Sequence, residues 1–114
     1  MNYDKFKCPC CGKCPEIPLE LQAKIYDLEL LCGPLTLNSG FRCEEHNKKI
    51  GGKPNSTHLQ GLAADLKSKM KVPIETLRQA AESIGFEGIG VYDNFIHVDI
   101  GSDGRRWDER TKNG

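Results

Sequence analysis

His58, Asp65 and His97 are the residues of this chain whose types and spacing could do chemistry. In Ser56-Thr57-His58-Leu59-Gln60-Gly61-Leu62-Ala63-Ala64-Asp65, a histidine closes a polar loop and an acid follows in an otherwise apolar run. A carboxylate between Ala64 and Leu66 faces desolvation unless a cation or hydrogen-bond donors compensate it. The second half is Phe95-Ile96-His97-Val98-Asp99-Ile100. Strand alternation puts Phe95, His97 and Asp99 on one face and Ile96, Val98 and Ile100 on the other. Two histidines and one carboxylate make a three-ligand set, which leaves a zinc ion one position for water. The same residues also admit a structural His–Asp hydrogen-bonded network. Each half alone has an ordinary explanation, as a satisfied strand histidine or as an aspartate in a cap or turn.

Several elements must position these groups. Pro18 suits a helix's first turn, and Leu19, Ile25, Leu28, Leu31 and Cys32 follow with helical recurrence until Gly33-Pro34 stops them. Leu35-Thr36-Leu37 reads as a buried strand leading into Ser39-Gly40-Phe41-Arg42, and Glu44 to Ile50 as a short helix closed by Gly51-Gly52. Residues 53–60 are turn-forming, and 62–66 form a compact strand. Pro73 to Ile84 is an amphipathic helix with Ile74, Leu77, Ala81 and Ile84 on one face. Gly88–Tyr92 and Phe95–Ile100 make a hairpin-like pair about Asp93-Asn94. The class is α+β, a small antiparallel sheet with helices packed against it. Residues 1–114 form a single domain, with a Cys-rich N-terminal loop over 1–16 and a mobile tail over 108–114.

Composition narrows the function classes. A chain of 114 residues holds one core. Sixteen Lys+Arg balance sixteen Asp+Glu, which argues against a sequence-independent nucleic-acid binder. No apolar run reaches the roughly 18 residues of a membrane span, and the N-terminus lacks the apolar stretch of a signal peptide, so synthesis in the cytoplasm is expected. Cys8, Cys10, Cys11 and Cys14 crowd together, with Cys32 and Cys43 downstream. Overlapping Cys-x-x-Cys pairs have the spacing of half a structural zinc site, yet Cys32 and Cys43 stand too far apart in sequence to be its second pair. Disulfides, a second metal site and free thiols all remain compatible with the spacing.

The run S-x-H-x-x-G-x-A-x-D over Ser56 to Asp65, followed by the strand histidine of His97-Val98-Asp99, resembles the zinc peptidases of the M15 type. These include D-Ala-D-Ala carboxypeptidases and dipeptidases and phage L-alanyl-D-glutamate endolysins. Ser39-Gly40-Phe41-Arg42-Cys43, then His46-Asn47 and Gly51-Gly52, is similar to the small phage and bacterial branch. The resemblance covers about residues 17–101. It implies a fold shared with the hedgehog signalling domain, Zn2+ held by His58, Asp65 and His97, and cleavage of peptidoglycan stem peptides; separately from the resemblance, a monomer is expected. The protein would act on the cell wall after release or as part of a phage particle. It also implies that Arg42 binds or polarises the substrate.

One departure concerns the general base. Members of the wider family carry an acid three residues before the second histidine, or a histidine two before it, where this chain has Asn94 and Phe95. The base is then expected at Asp99, on the His97 face, with Asp93 as its competitor and a histidine-orienting role as the alternative for Asp99. Arg42 suits a developing oxyanion or a substrate carboxylate. Ser56 bonds substrate or ends the turn. His46 reads as structural, and Trp107 as a core anchor or a wall at the site's edge. Three competing functions remain. The iron oxygenase facial triad usually sets its first histidine and acid as H-x-D, unlike the spacing here. The others are a metal-binding domain without catalysis and a cysteine-held zinc-ribbon module over residues 8–14.

Overall fold

Gly33, at φ +87°, ends the first helix by turning the chain where a side chain would be strained, and its N–H caps the Glu29 carbonyl. In this computed structural model, residues 3, 6–8, 11–12, 16–51, 57–101 and 104–111 are described. Helix α1 spans Leu19–Cys32, strand β1 Leu35–Ser39, helix α2 Glu44–Lys49, and a 3-10 turn Thr57–Gln60. Strand β2 spans Ala63–Ser68, helix α3 Ile74–Ile84, strand β3 Gly88–Val91, β4 Ile96–Asp99 and β5 Arg106–Asp108. The sheet order is β1-β2-β4-β3-β5, antiparallel throughout except for the parallel β3–β5 pair. The expected α+β architecture is therefore the one observed.

The register gives the sheet two unlike faces. Leu37, Leu66, Ile96 and Val91 stand in one cross-strand row, and Ala64, Val98 and Ile89 in another. These side chains join the core formed with Leu21, Ile25, Leu28 and Cys32 of α1, Leu77 and Ala81 of α3, and Phe6 and Phe86. The opposite face carries the row Ser39, Asp65, His97, Gly90 and Trp107, crossing all five strands. Beside it runs Ala63, Asp99 and Gly88. One face is thus packed on helices, and the other is free to carry polar groups.

Two expectations are corrected. The buried stripe of α1 is Leu21, Ile25, Leu28 and Cys32, whereas Leu19 is 80% and Leu31 63% exposed. At 100° per residue, Leu19 lies about 160° around the helix from Leu21. Phe6, within the N-terminal loop, is a fully buried core residue. The segment 108–111, read as a mobile tail, is tied down. Asp108 belongs to β5, the Glu109 N–H donates to the Val91 carbonyl at 2.8 Å, and Thr111 donates its N–H and hydroxyl to Asp93 at 2.7 and 2.6 Å. Cys10, Cys14, Ser56 and residues 112–114 lie outside the described residues.

Candidate metal centre

His58 reaches the sheet from the 3-10 turn, and two backbone contacts fix it there. Its Nδ1 lies 2.5 Å from the Gly40 carbonyl, and its own carbonyl accepts the Arg42 N–H at 3.1 Å. Gly40 suits this place for a steric reason: a Cβ there would run into the Phe6 ring and backbone. The run Ser39-Gly40-Phe41-Arg42 thus supplies the carbonyl that orients His58. A carbonyl only accepts, so Nδ1 of His58 carries the proton and Nε2 presents a lone pair.

His97 and Asp65 are direct cross-strand partners on β4 and β2. Nε2 of His97 faces the Asp99 carboxylate at 2.8 Å, which assigns the proton to Nε2 and leaves a lone pair on Nδ1. That Nδ1 lies 3.2 Å from His58 Nε2 and 3.1 Å from Asp65 Oδ1, and His58 Nε2 lies 3.2 Å from the same oxygen. Three lone-pair-bearing atoms therefore converge with no proton assigned between them. The two rings meet edge to face with centroids 5.0 Å apart. Four tetrahedral ligands at the usual zinc bond lengths of about 2.0–2.1 Å would stand about 3.3 Å apart. The observed separations fit that spacing.

The electrostatics agree. Burial alone would raise the Asp65 carboxyl pKa, but the His58 and His97 imidazoles beside it outweigh that effect and hold the group well below the usual carboxylate range. Burial likewise depresses His97, while the Asp65 and Asp99 contacts more than reverse it, leaving the imidazole raised. A positive charge is wanted at this point.

Asp99, expected as a general base, sits behind His97. It is fully buried, accepting from His97, from Thr57 Oγ1 at 3.2 Å, from the Gly101 N–H at 3.0 Å, and from Arg105 at 3.1 and 3.0 Å. Burial opposes ionisation here, and these donors reverse it, so the carboxyl is held below its ordinary value. Gly88 stands directly opposite, and a Cβ there would strike the Asp99 carboxylate. Asp93 is exposed on the β3–β4 turn and accepts from Thr111.

Arg42 is half-buried. Desolvation pulls its guanidinium below the ordinary value, and the charge of Asp65 opposes that pull, which sets Arg42 within electrostatic reach of the cluster. Trp107 is a wall rather than a core anchor. Its ring lies 4.9 Å from His97, Arg105 sits over it, and its Nε1 donates to the Tyr92 hydroxyl at 2.9 Å. A Cβ on Gly90 would enter the indole, so that glycine makes the room. Sequence reading missed Thr57, Arg105, Gly88 and Gly90. The alternating Gly88-Ile89-Gly90-Val91 was the available signal, marking one strand face kept clear of side chains.

Comparison with known proteins reaches the same region. The family described as Peptidase M15 matches residues 11–99. The zinc D-Ala-D-Ala carboxypeptidase of Streptomyces albus G is 39% identical over 79 residues, covering 65% of this chain and 30% of that protein. The chain thus spans under a third of that relative's length.

Proposed function

The chain belongs to the peptidase M15 family, and from that premise we propose that it is a zinc-dependent peptidase hydrolysing peptidoglycan stem peptides. The candidate bonds are the terminal D-Ala-D-Ala linkage and the L-Ala-D-Glu linkage. The observation that carries this reading is the meeting of His58 Nε2, His97 Nδ1 and Asp65 Oδ1 within 3.2 Å of one another. Zinc held there would supply a water of lowered pKa and a Lewis acid for the scissile carbonyl. Asp99 fixes the tautomer and ring angle of His97 through Nε2, the work of an outer carboxylate on a ligating histidine. Arg42 offers a guanidinium fork to the substrate's carboxylate or to the oxyanion that develops on the attacked carbonyl. Tyr92, stacked on Phe95 with centroids 4.4 Å apart, and Trp107 form an aromatic wall beside His97 against which a peptide can lie. The carboxypeptidase relative supports the D-Ala-D-Ala bond, and the small-branch motif supports the L-Ala-D-Glu bond. Either reaction places the protein at the cell wall.

The test is digestion of purified peptidoglycan and of a stem pentapeptide, with and without chelator, followed by mass analysis. Free D-alanine or a split between L-Ala and D-Glu, abolished by chelator and restored by zinc, is expected. A second reading, a metal-binding domain that does not cleave, draws on the engagement of both candidate bases, Asp99 by four residues and Asp93 by Thr111. Stoichiometric zinc with neither peptide product is the result that would favour it.

A further inference from the structure

The structure brings together a second cluster of ligand-type atoms. The sulfurs of Cys8, Cys11 and Cys43 all lie within 4.8 Å of one another, although Cys43 follows β1 and the other two precede α1. Cys8 is buried and Cys11 exposed, so the cluster runs from the interior to the surface. Backbone N–H groups point at two of the sulfurs: that of Cys43 donates to Cys8 Sγ, and that of His46 to Cys43 Sγ, both at 3.4 Å. Cys8 and Cys11 sit on one tight turn. The Gly12 N–H returns to the Cys8 carbonyl at 2.8 Å, and Gly12 takes φ +74°, a conformation that side chains resist.

We propose that Cys8, Cys11 and Cys43 hold a structural zinc ion, separate from the His58–Asp65–His97 centre. The chemistry of three converging sulfurs supports it. A disulfide joins two sulfurs at about 2.05 Å and leaves a third over, whereas tetrahedral thiolates at about 2.3 Å from zinc stand about 3.8 Å apart. Soft thiolate sets select zinc over the hard cations. These three ligands fix the position of the ion, and structural zinc takes a fourth. The Cys8–Cys11 pair supplies the Cys-x-x-Cys half-site, and Cys43, too distant in sequence to suggest itself, supplies the other side.

The site acts as a clip. It fastens the N-terminal segment to the loop between β1 and α2, beside the pairing of the Phe41 N–H with the Phe6 carbonyl at 2.7 Å. Phe6 in turn packs on Gly40, whose carbonyl orients His58. This cluster reaches solvent at Cys11.

The test counts metal per chain in protein purified under reducing conditions. The double variant His58→Ala/His97→Ala should keep one zinc per chain, and its cobalt-substituted form should show thiolate-to-metal charge-transfer absorption. Adding Cys11→Ala to that variant should remove both the ion and the absorption. Cys11 is exposed, so its truncation leaves no core cavity, and circular dichroism should report unchanged secondary structure. Cys43→Ala in the same background should also lose the ion. No zinc in the histidine double variant, zinc that survives both cysteine changes, or cobalt without thiolate absorption would each overturn the proposal. So would a disulfide among these three cysteines under those reducing conditions. Peptidase activity plays no part in this readout, so failure of the proposed catalytic function leaves it standing.

Discussion

Asp99 and Arg42 are the two residues where placement and chemistry make separable predictions. Asp99 accepts from His97 Nε2 while the histidine's other nitrogen faces Asp65 and His58. Asp99→Asn should therefore weaken zinc affinity about 10–100-fold, with turnover at full zinc occupancy within about tenfold of the parent. Competition against a calibrated chelator and kinetics at saturating zinc read the two effects. A loss of about 10²–10⁴-fold at full occupancy would instead make Asp99 the base. The same carboxyl also predicts a pH dependence in zinc-free protein. Its folded pKa is lowered, so its stabilisation is complete above the unfolded value of about 3.9 and is lost as pH falls through the lower folded value. Denaturant titrations should show Asp99→Asn less stable than the parent by about 1.5–3 kcal/mol at neutral pH. The gap should close in acid, and an equal gap at both pH values would contradict this account. Arg42→Lys keeps the charge and loses the fork, and should lower kcat/KM about tenfold or more with zinc content unchanged. The sequence made His58, Asp65 and His97 legible as candidates because ligand types recur at motif spacing. It left the work of Asp99 open because alternation tells which face a side chain shares, not which donors meet it there. Thr57 and Arg105 come from distant positions and carry no motif.

At the scale of elements, β3 does its work by what it lacks. Gly88 leaves room for the Asp99 carboxylate, and Gly90 for the Trp107 indole that packs beside His97. Gly90→Ala should displace Trp107 and cost about 1–3 kcal/mol, the usual penalty for overpacking. A shifted tryptophan fluorescence maximum together with a lower melting temperature is the expected signature. An unmoved spectrum would show that the ring does not depend on that gap. Helix α3 was legible to within a residue, from Pro73 before it to Gly85 at φ +94° after it, because its apolar face repeats cleanly and punctuation stands at both ends. Strand β5 was not legible. Arg106, Trp107 and Asp108 have no apolar alternation, and their parallel pairing with β3 depends on a partner strand outside any local window. In α1, several leucines satisfy helical recurrence on more than one face, so composition could not choose the buried stripe.

At the scale of the whole molecule, the candidate ligands His58, Asp65 and His97 come from the 3-10 turn, β2 and β4, so metal bound there would be linked to folding. Zinc that binds the folded chain alone should stabilise it by about 4 kcal/mol when free zinc is about 1,000-fold above Kd. Thermal unfolding with and without chelator should show the melting temperature fall on metal removal, and identical melts would separate the metal from the fold. The row Ser39, Asp65, His97, Gly90 and Trp107 has a consequence for assembly. A slip of one residue between β2 and β4 turns every side chain of the slipped strand to the opposite face. His97 would then enter the apolar layer, and Ile96 would stand beside Asp65. Such a chain has no three-atom cluster to offer an ion. An ion held by these three residues would therefore favour the chains whose central strands are correctly aligned.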